Sequence, residues 1–346
     1  MKKTAWILLS TFALFFLISC ESEEGEFLPG YSGGFGELVV VLDKAIWEGP
    51  TGDSLFSVLA GEQHGFPQPE SYFNVIQVSP SKFQSVLRTH RNIIRINAAS
   101  GNAGKEPLVL ERNKWSKGQY VLNLNAKSYD HLLQVIGEHE EDIRSVFQSA
   151  EINRHIQRNK KFGDPEISKE LAAVQQYTME VHKDVFLDKN QSGLAWVRAE
   201  RERTSGGFQH QISQGILLFS KPYMSKSDFS DSLVIQTANE MMAQHLAGPD
   251  TGQYMQIDQR YIPVIGEEVN FHDQYAREFR GIWKMEGNFM GGPLYIFTFL
   301  DEPRGRIIYA IGYVYAPQFK KREYLREVEA MIQSIKPTPV PQKASS

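Results

Sequence analysis

The chain has 346 residues, a formal net charge of −4 and a single cysteine. That charge balance excludes the broad basic footprint of a nucleic-acid-binding protein, and one cysteine excludes both a disulfide framework and a cysteine-ligated zinc site. With 41% hydrophobic and 12% aromatic residues, the chain can fill ordinary globular cores, and its length predicts one large or two smaller domains.

Met1-Lys2-Lys3 is a short positive start, and residues 5–18 carry no charge. A run of this length suits a signal peptide better than a membrane span, which needs about 20 apolar residues. It ends on Leu17-Ile18-Ser19-Cys20, which resembles a lipobox, the site of lipid attachment and signal cleavage in bacterial lipoproteins. Residues 1–19 are therefore read as a lipoprotein signal peptide and Cys20 as the lipidation site. The thiol would carry diacylglycerol, and the freed amine a fatty acyl chain such as palmitate. Each buried methylene adds roughly 0.8 kcal/mol, so two or three chains hold firmly. No other cofactor is predicted. Simple secretion with an incidental cysteine, or an uncleaved helix, are the competing readings.

Residues 20–35 form the lipidated end and an acidic tether, Glu21-Ser22-Glu23-Glu24-Gly25-Glu26, which cannot bury apolar surface. The stretch also resembles the acidic export signal of some Bacteroidota lipoproteins. The predicted location is the bacterial envelope, anchored to the outer membrane, with periplasmic and surface faces both open. Removing Lys2 and Lys3 leaves 35 basic against 41 acidic residues, a formal charge of −6.

An N-terminal α/β subdomain is predicted over 36–162. The apolar run 38–42 reads as a strand buried on both faces. Asp53 would cap a helix running to Leu59. A strand at 73–78, a helix starting at Ser79-Pro80-Ser81 and a strand at 93–96 follow. Residues 108–111 and 120–124 pair as a hairpin. Ser128 caps a long helical region that Gly137 kinks or splits. Asp164-Pro165-Glu166 restarts the chain as a helix, with Leu171, Val174, Tyr177 and Val181 along one face.

The C-terminal α+β subdomain spans 163–336. Strands are predicted at 194–198 and 215–219, separated by a polar stretch over 201–211. A helix capped by Asp231, short strands at 254–258 and 261–265, and three long strands at 275–286, 294–301 and 306–315 come next. A closing helix over 321–335 places Leu325, Val328, Ile332 and Ile335 on one face. The fold class is thus α+β, with two α/β subdomains, the second an antiparallel sheet closed by its C-terminal helix. By pattern this is similar to the Mog1/PsbP-like sandwich. Residues 337–346 are a Pro-rich tail.

Catalytic signatures are sparse. The histidines are scattered, no Gly-x-Ser-x-Gly elbow is present, and Gly101-Asn102-Ala103-Gly104-Lys105 lacks Walker A spacing. Glu267 and Glu268 are adjacent in a strand and point to opposite faces. The densest unusual segment is 280–293, where Arg280, Trp283, Met285, Asn288, Gly291 and Gly292 form the candidate recognition loop. Its alternative is a hairpin whose glycines serve geometry and whose aromatics fill the core. Tyr309, Tyr313 and Tyr315 alternate on one strand face, either as core or as a platform for sugar or peptide.

Gly65-Phe66-Pro67-Gln68-Pro69-Glu70, His90-Arg91-Asn92-Ile93, Arg280-Gly281-Ile282-Trp283-Lys284-Met285 and Gly312-Tyr313-Val314-Tyr315-Ala316-Pro317 together resemble a lipoprotein family of Bacteroidota known as domain of unknown function 4837. The resemblance implies an envelope lipoprotein and transfers no catalytic residue. The leading expectation is a non-enzymatic binding or assembly module, with the lipid bilayer and an envelope protein or glycan as partners. An envelope hydrolase of glycan or peptide, and an accessory subunit of an outer-membrane complex, are the alternatives.

Overall fold

The computed structural model describes residues 28–340. Cys20, the predicted signal peptide over residues 1–19, the acidic stretch 21–26 and the end of the Pro-rich tail lie outside the described residues.

The first half is built on β1 (Glu37–Val41), a β-branched strand buried over four of its five positions. α1 (Lys44–Trp47) and α2 (Pro50–Ala60) lead to β2 (Asn74–Val78), β3 (Asn92–Ala98), β4 (Leu108–Arg112) and β5 (Tyr120–Ala126). The sheet order is β2-β1-β3-β5-β4, with only β4 antiparallel to its neighbour. Parallel strands need cover on both faces. On one face Leu38, Val40 and Leu42 pack against α2 and against α3 (Tyr129–Glu138) and α4 (Glu140–Phe162), through Leu132, Ile136, Ile143 and Phe147. On the other, Val39 and Val41 meet Phe83 and Trp115 from connecting segments.

Three local expectations change here. Gly49 occupies the cap of α2 with Pro50 behind it, so Asp53 is a first-turn acid rather than a cap. The helix predicted after Ser79 is absent; two 3-10 turns, Pro80–Lys82 and Ser85–Leu87, replace it. Its apolar residues do not share a face, since Phe83 is buried in the sheet while Val86 is exposed. The long helical region breaks at His139, two residues after Gly137, while Ser128 caps α3 by accepting the His131 N–H at 3.2 Å.

α5 (Pro165–Gln175) starts as predicted, Asp164 accepting the Glu166 N–H at 2.9 Å. It stops at Gln176, which adopts the left-handed conformation (φ 65°). Tyr177 therefore opens β6 (Tyr177–Thr178), and Val181 also lies beyond the helix, although both are buried. β7 (Val185–Gln191) was not predicted, because its pattern is largely polar. β8 (Leu194–Ser205) and β9 (Phe208–Pro222) absorb the polar stretch 201–211 as two hairpin arms. Gly206 and Gly207, at φ 59° and 83°, make the tight turn that such a two-residue connection requires. These arms are largely exposed, so a polar sequence is compatible with strand there.

In α6 (Asp231–His245) the N-cap position is held by Ser230, without a side-chain capping bond, and Asp231 is a first-turn acid. β10 (Tyr254–Asp258) follows. The strand predicted at 261–265 instead begins at its last residue, as β11 (Ile265–Phe271), and turns through His272-Asp273, both at positive φ, into β12 (Gln274–Glu286). β13 (Gly291–Asp301), β14 (Arg306–Tyr315), α7 (Arg322–Gln333) and β15 (Lys336–Pro337) complete the chain, β15 pairing with β6.

The large sheet is antiparallel, ordered β10-β12-β13-β14-β9-β8-β7, with β11 beside β12. β14 shows how period-2 alternation builds two cores. Ile308, Ala310 and Val314 join Val328 and Ile332 of α7, while Ile307, Tyr309, Ile311 and Tyr313 join Val234 and Met242 of α6. A Cβ on Gly312 would run into Val328, so this glycine sets how closely α7 approaches the sheet. Tyr309 and Tyr313 are therefore core rather than platform: Tyr309 stacks on Phe219 at 4.8 Å, and the Tyr313 hydroxyl accepts the Trp196 Nε1–H at 3.2 Å. The architecture is α+β, with the C-terminal antiparallel sheet closed by α7.

Candidate functional site

The predicted loop is a hairpin connection between β12 and β13. The Met285 N–H donates to the Met290 carbonyl at 2.8 Å, and Gly287 (φ 75°) makes the reversal. Trp283 and Met285 point into the α6-side core, and Trp283 Nε1–H donates to the Val314 carbonyl at 3.1 Å. A Cβ on Gly292 would strike that same carbonyl, so Gly292 admits the neighbouring strand. Asn288 Nδ2–H donates to Gln253 at 3.3 Å, and Phe289 is fully exposed. Trp283, Met285, Asn288, Gly291 and Gly292 line a cleft of about 420 Å³ together with Pro67 and Arg260. Arg280 does not join them. Three positions before Trp283, it lies on the opposite strand face, over the Tyr295 ring at 5.0 Å and paired with Glu329 of α7. Burial lowers its pKa, but the Glu329 and Glu278 carboxylates overcome that and hold it charged.

A smaller polar cleft of about 160 Å³ lies where the halves meet, lined by His64, Glu141, Arg144, Glu267, Glu278 and Arg280 among others. Glu141 is paired with Arg144 at 2.8 Å, and Glu278 lies 3.7 Å from Arg280 while accepting the Tyr295 hydroxyl at 2.9 Å. Two of the three carboxylates are thus already engaged. Among the described residues no group of three or more His, Cys, Asp or Glu is placed to hold a metal ion.

A third and roomier cleft, about 1030 Å³, lies at the entry of the described chain. Leu28, Gly30, Tyr31 and Phe35 form one wall, Lys117, Gly118 and Tyr120 another, and α4 supplies Arg154, Arg158, Lys160, Lys161 and Phe162. Backbone pairing fixes the first wall, the Lys117 N–H donating to the Pro29 carbonyl at 2.8 Å. Gly118, at φ 81°, lies under the Tyr31 ring. On α4, Arg154, Arg158 and Lys161 recur at helical spacing, so one face carries the charge.

Beneath that surface sits a buried ionic cluster. The fully buried Glu151 carboxylate takes Arg154 at 2.7 Å and Arg91 at 3.1 Å, and it accepts the Asn92 Nδ2–H at 2.7 Å. Arg91 lies over Phe35 and Tyr31 at 4.6 and 4.9 Å, and Arg154 over Tyr31 and Tyr120, both at 5.2 Å. Stacking guanidiniums on ring faces makes the cluster cation-rich yet tolerable in burial. Phe35 also stacks on His155 at 4.6 Å. Burial pushes the His155 pKa down to about 4, prevailing over the nearby Glu327, Glu323 and Glu151 carboxylates. Sequence reading missed this cleft: α4 offers only a periodic run of cations, and its aromatic counterparts lie about 120 residues away at Tyr31 and Phe35.

Residues 164–334 match the family model of a domain of unknown function (DUF4837), and residues 32–160 match that of a second domain of unknown function (DUF8532). No curated protein matches the chain.

Proposed function

We propose that the protein is a lipid-anchored envelope lipoprotein of the Bacteroidota type, held to the outer membrane through Cys20, and that it works as a non-enzymatic binding module. The observation that carries the reading is a conjunction. The lipobox-like Leu17-Ile18-Ser19-Cys20 ends eight residues before Leu28, and Leu28 lines the cleft of about 1030 Å³. Eight residues span at most about 28 Å, so an anchored Cys20 would keep that cleft within reach of the bilayer. Its lining contains five Lys or Arg, four aromatic rings and no Asp or Glu, a composition suited to a ligand with negative charge and an apolar portion.

A second reading, docking to an envelope protein, is favoured by Phe289 and Tyr261. Both are strongly exposed large aromatics, and Phe289 lines the loop cleft together with Arg260, the neighbour of Tyr261. Metabolic labelling with a fatty-acid probe tests the anchor. Wild-type protein should be labelled and Cys20→Ala should not; labelling that persists in Cys20→Ala would refute it.

A further inference from the structure

We infer that the Leu28 cleft is the face this protein turns to the membrane, and that it takes the phosphate headgroup of an anionic phospholipid. This rests on the anchored reading above. Lys117, Arg158, Lys160 and Lys161 have no carboxylate partner among the described residues, and Lys117, Lys160 and Lys161 are exposed. Unpaired cations gathered on one rim repel each other and gain from a surface of opposite charge. Attraction to exposed charge fades within about 8 Å at physiological salt, so such a rim acts only on a surface it almost touches. The short path from Leu28 to Cys20 supplies that proximity.

The apolar part of the site points the same way. Phe162 is 61% exposed at the end of α4, with the Lys161 ammonium 4.9 Å from its ring centre. An exposed aromatic beside lysine is the pairing found at the membrane–water boundary, where the ring enters the headgroup layer and the ammonium meets phosphate. The cleft volume, about 1030 Å³, is at the top of the range for small-ligand sites. It is far larger than a bare phosphate needs, and it admits a headgroup with the start of its acyl chains.

The test uses the chain from residue 20 onward with Cys20→Ser, so that neither lipid nor signal peptide contributes. Vesicles of phosphatidylcholine with phosphatidylglycerol are compared with vesicles of phosphatidylcholine alone, by co-sedimentation. The protein should sediment with the anionic vesicles, remain free of the neutral ones, and be released by added salt. Each exposed cation near an anionic surface contributes about fivefold in partitioning, so Lys160→Ala/Lys161→Ala should weaken binding roughly thirtyfold. Phe162→Ser should weaken it too, and Lys44→Ala, remote from the cleft, should not. Equal sedimentation with both vesicle types, or a double variant that binds as the parent does, overturns the inference. Fatty-acid labelling of wild-type protein separates the two ideas. Labelled protein whose unlipidated form ignores anionic vesicles keeps its anchor and loses this site; unlabelled protein that binds them keeps the site and loses the anchor.

Discussion

Glu70 accepts the backbone N–H of Lys321 at 2.6 Å, across 251 residues of sequence. Its second oxygen takes the Arg322 N–H at 2.8 Å. A carboxylate from the first half of the chain therefore caps α7, the helix that closes the sheet of the second half, and meets the positive end of its dipole. Around it, Arg322 donates to the Ser71 carbonyl at 2.9 Å and Lys321 Nζ to Gln68 at 2.7 Å. The Gly65–Glu70 segment thus belongs to the seam between the halves.

Glu70→Ala should remove about 2 kcal/mol of stability, the upper range for losing a helix cap with a charged acceptor. Chemical denaturation measures the loss, and hydrogen exchange should show the first turn of α7 opening before the rest of the helix.

Among the described residues, Glu151 is the only carboxylate within ion-pair distance of both Arg91 and Arg154. Glu151→Gln keeps the shape and strands two guanidiniums in a poorly solvated site, so it should cost about 3–5 kcal/mol. A variant that melts with the parent would show that other groups carry the balance.

His155 makes stability depend on pH. Its folded pKa is about 4 against an ordinary 6.5, so the unfolded chain binds the proton more readily. The stabilisation is complete above pH 6.5 and is lost as pH falls towards 4, by about 3 kcal/mol in all. Replacing it with a residue that cannot titrate, His155→Leu, should flatten the difference between urea midpoints at pH 7 and pH 4.5. An unchanged difference would place the dependence elsewhere.

The β12–β13 loop offers a separation of packing from recognition. Trp283→Ala should destabilise by about 3–5 kcal/mol, since it opens a cavity and strands the Val314 carbonyl. Phe289→Ser should stay within about 0.5 kcal/mol of the parent, as exposed positions do, and Asn288→Ala, which gives up one half-buried hydrogen bond to Gln253, should cost about 1 kcal/mol. Only the latter pair can then report on a partner.

Much of the fold was legible because local chemistry and tertiary structure agree at several points. The Asp164-Pro165 helix start, the Ser128 cap and the alternation of β14 each follow from a few adjacent residues. Misreadings cluster where an element is held by distant contacts. Phe83 and Leu87 imitate a helical stripe but pack on a sheet in 3-10 turns, and the polar arms beyond Arg201 are strands because a Gly206-Gly207 turn pairs them. The loop at 280–293 was identifiable from composition, yet Arg280 faces α7 and pairs with its Glu329, which only strand parity reveals. The Leu28 cleft was hidden because the rings of Tyr31 and Phe35 meet α4 cations that lie about 120 residues further along the chain.

The proposed anchor at Cys20 underlies the membrane-facing reading of the Leu28 cleft, and it can be weighed directly. Mass spectrometry of the N-terminal peptide from protein purified out of its own membrane should find a chain beginning at Cys20, heavier by a diacylglyceryl group and a fatty acyl chain. A peptide that begins elsewhere, or a Cys20 carrying a free thiol, would contradict the account.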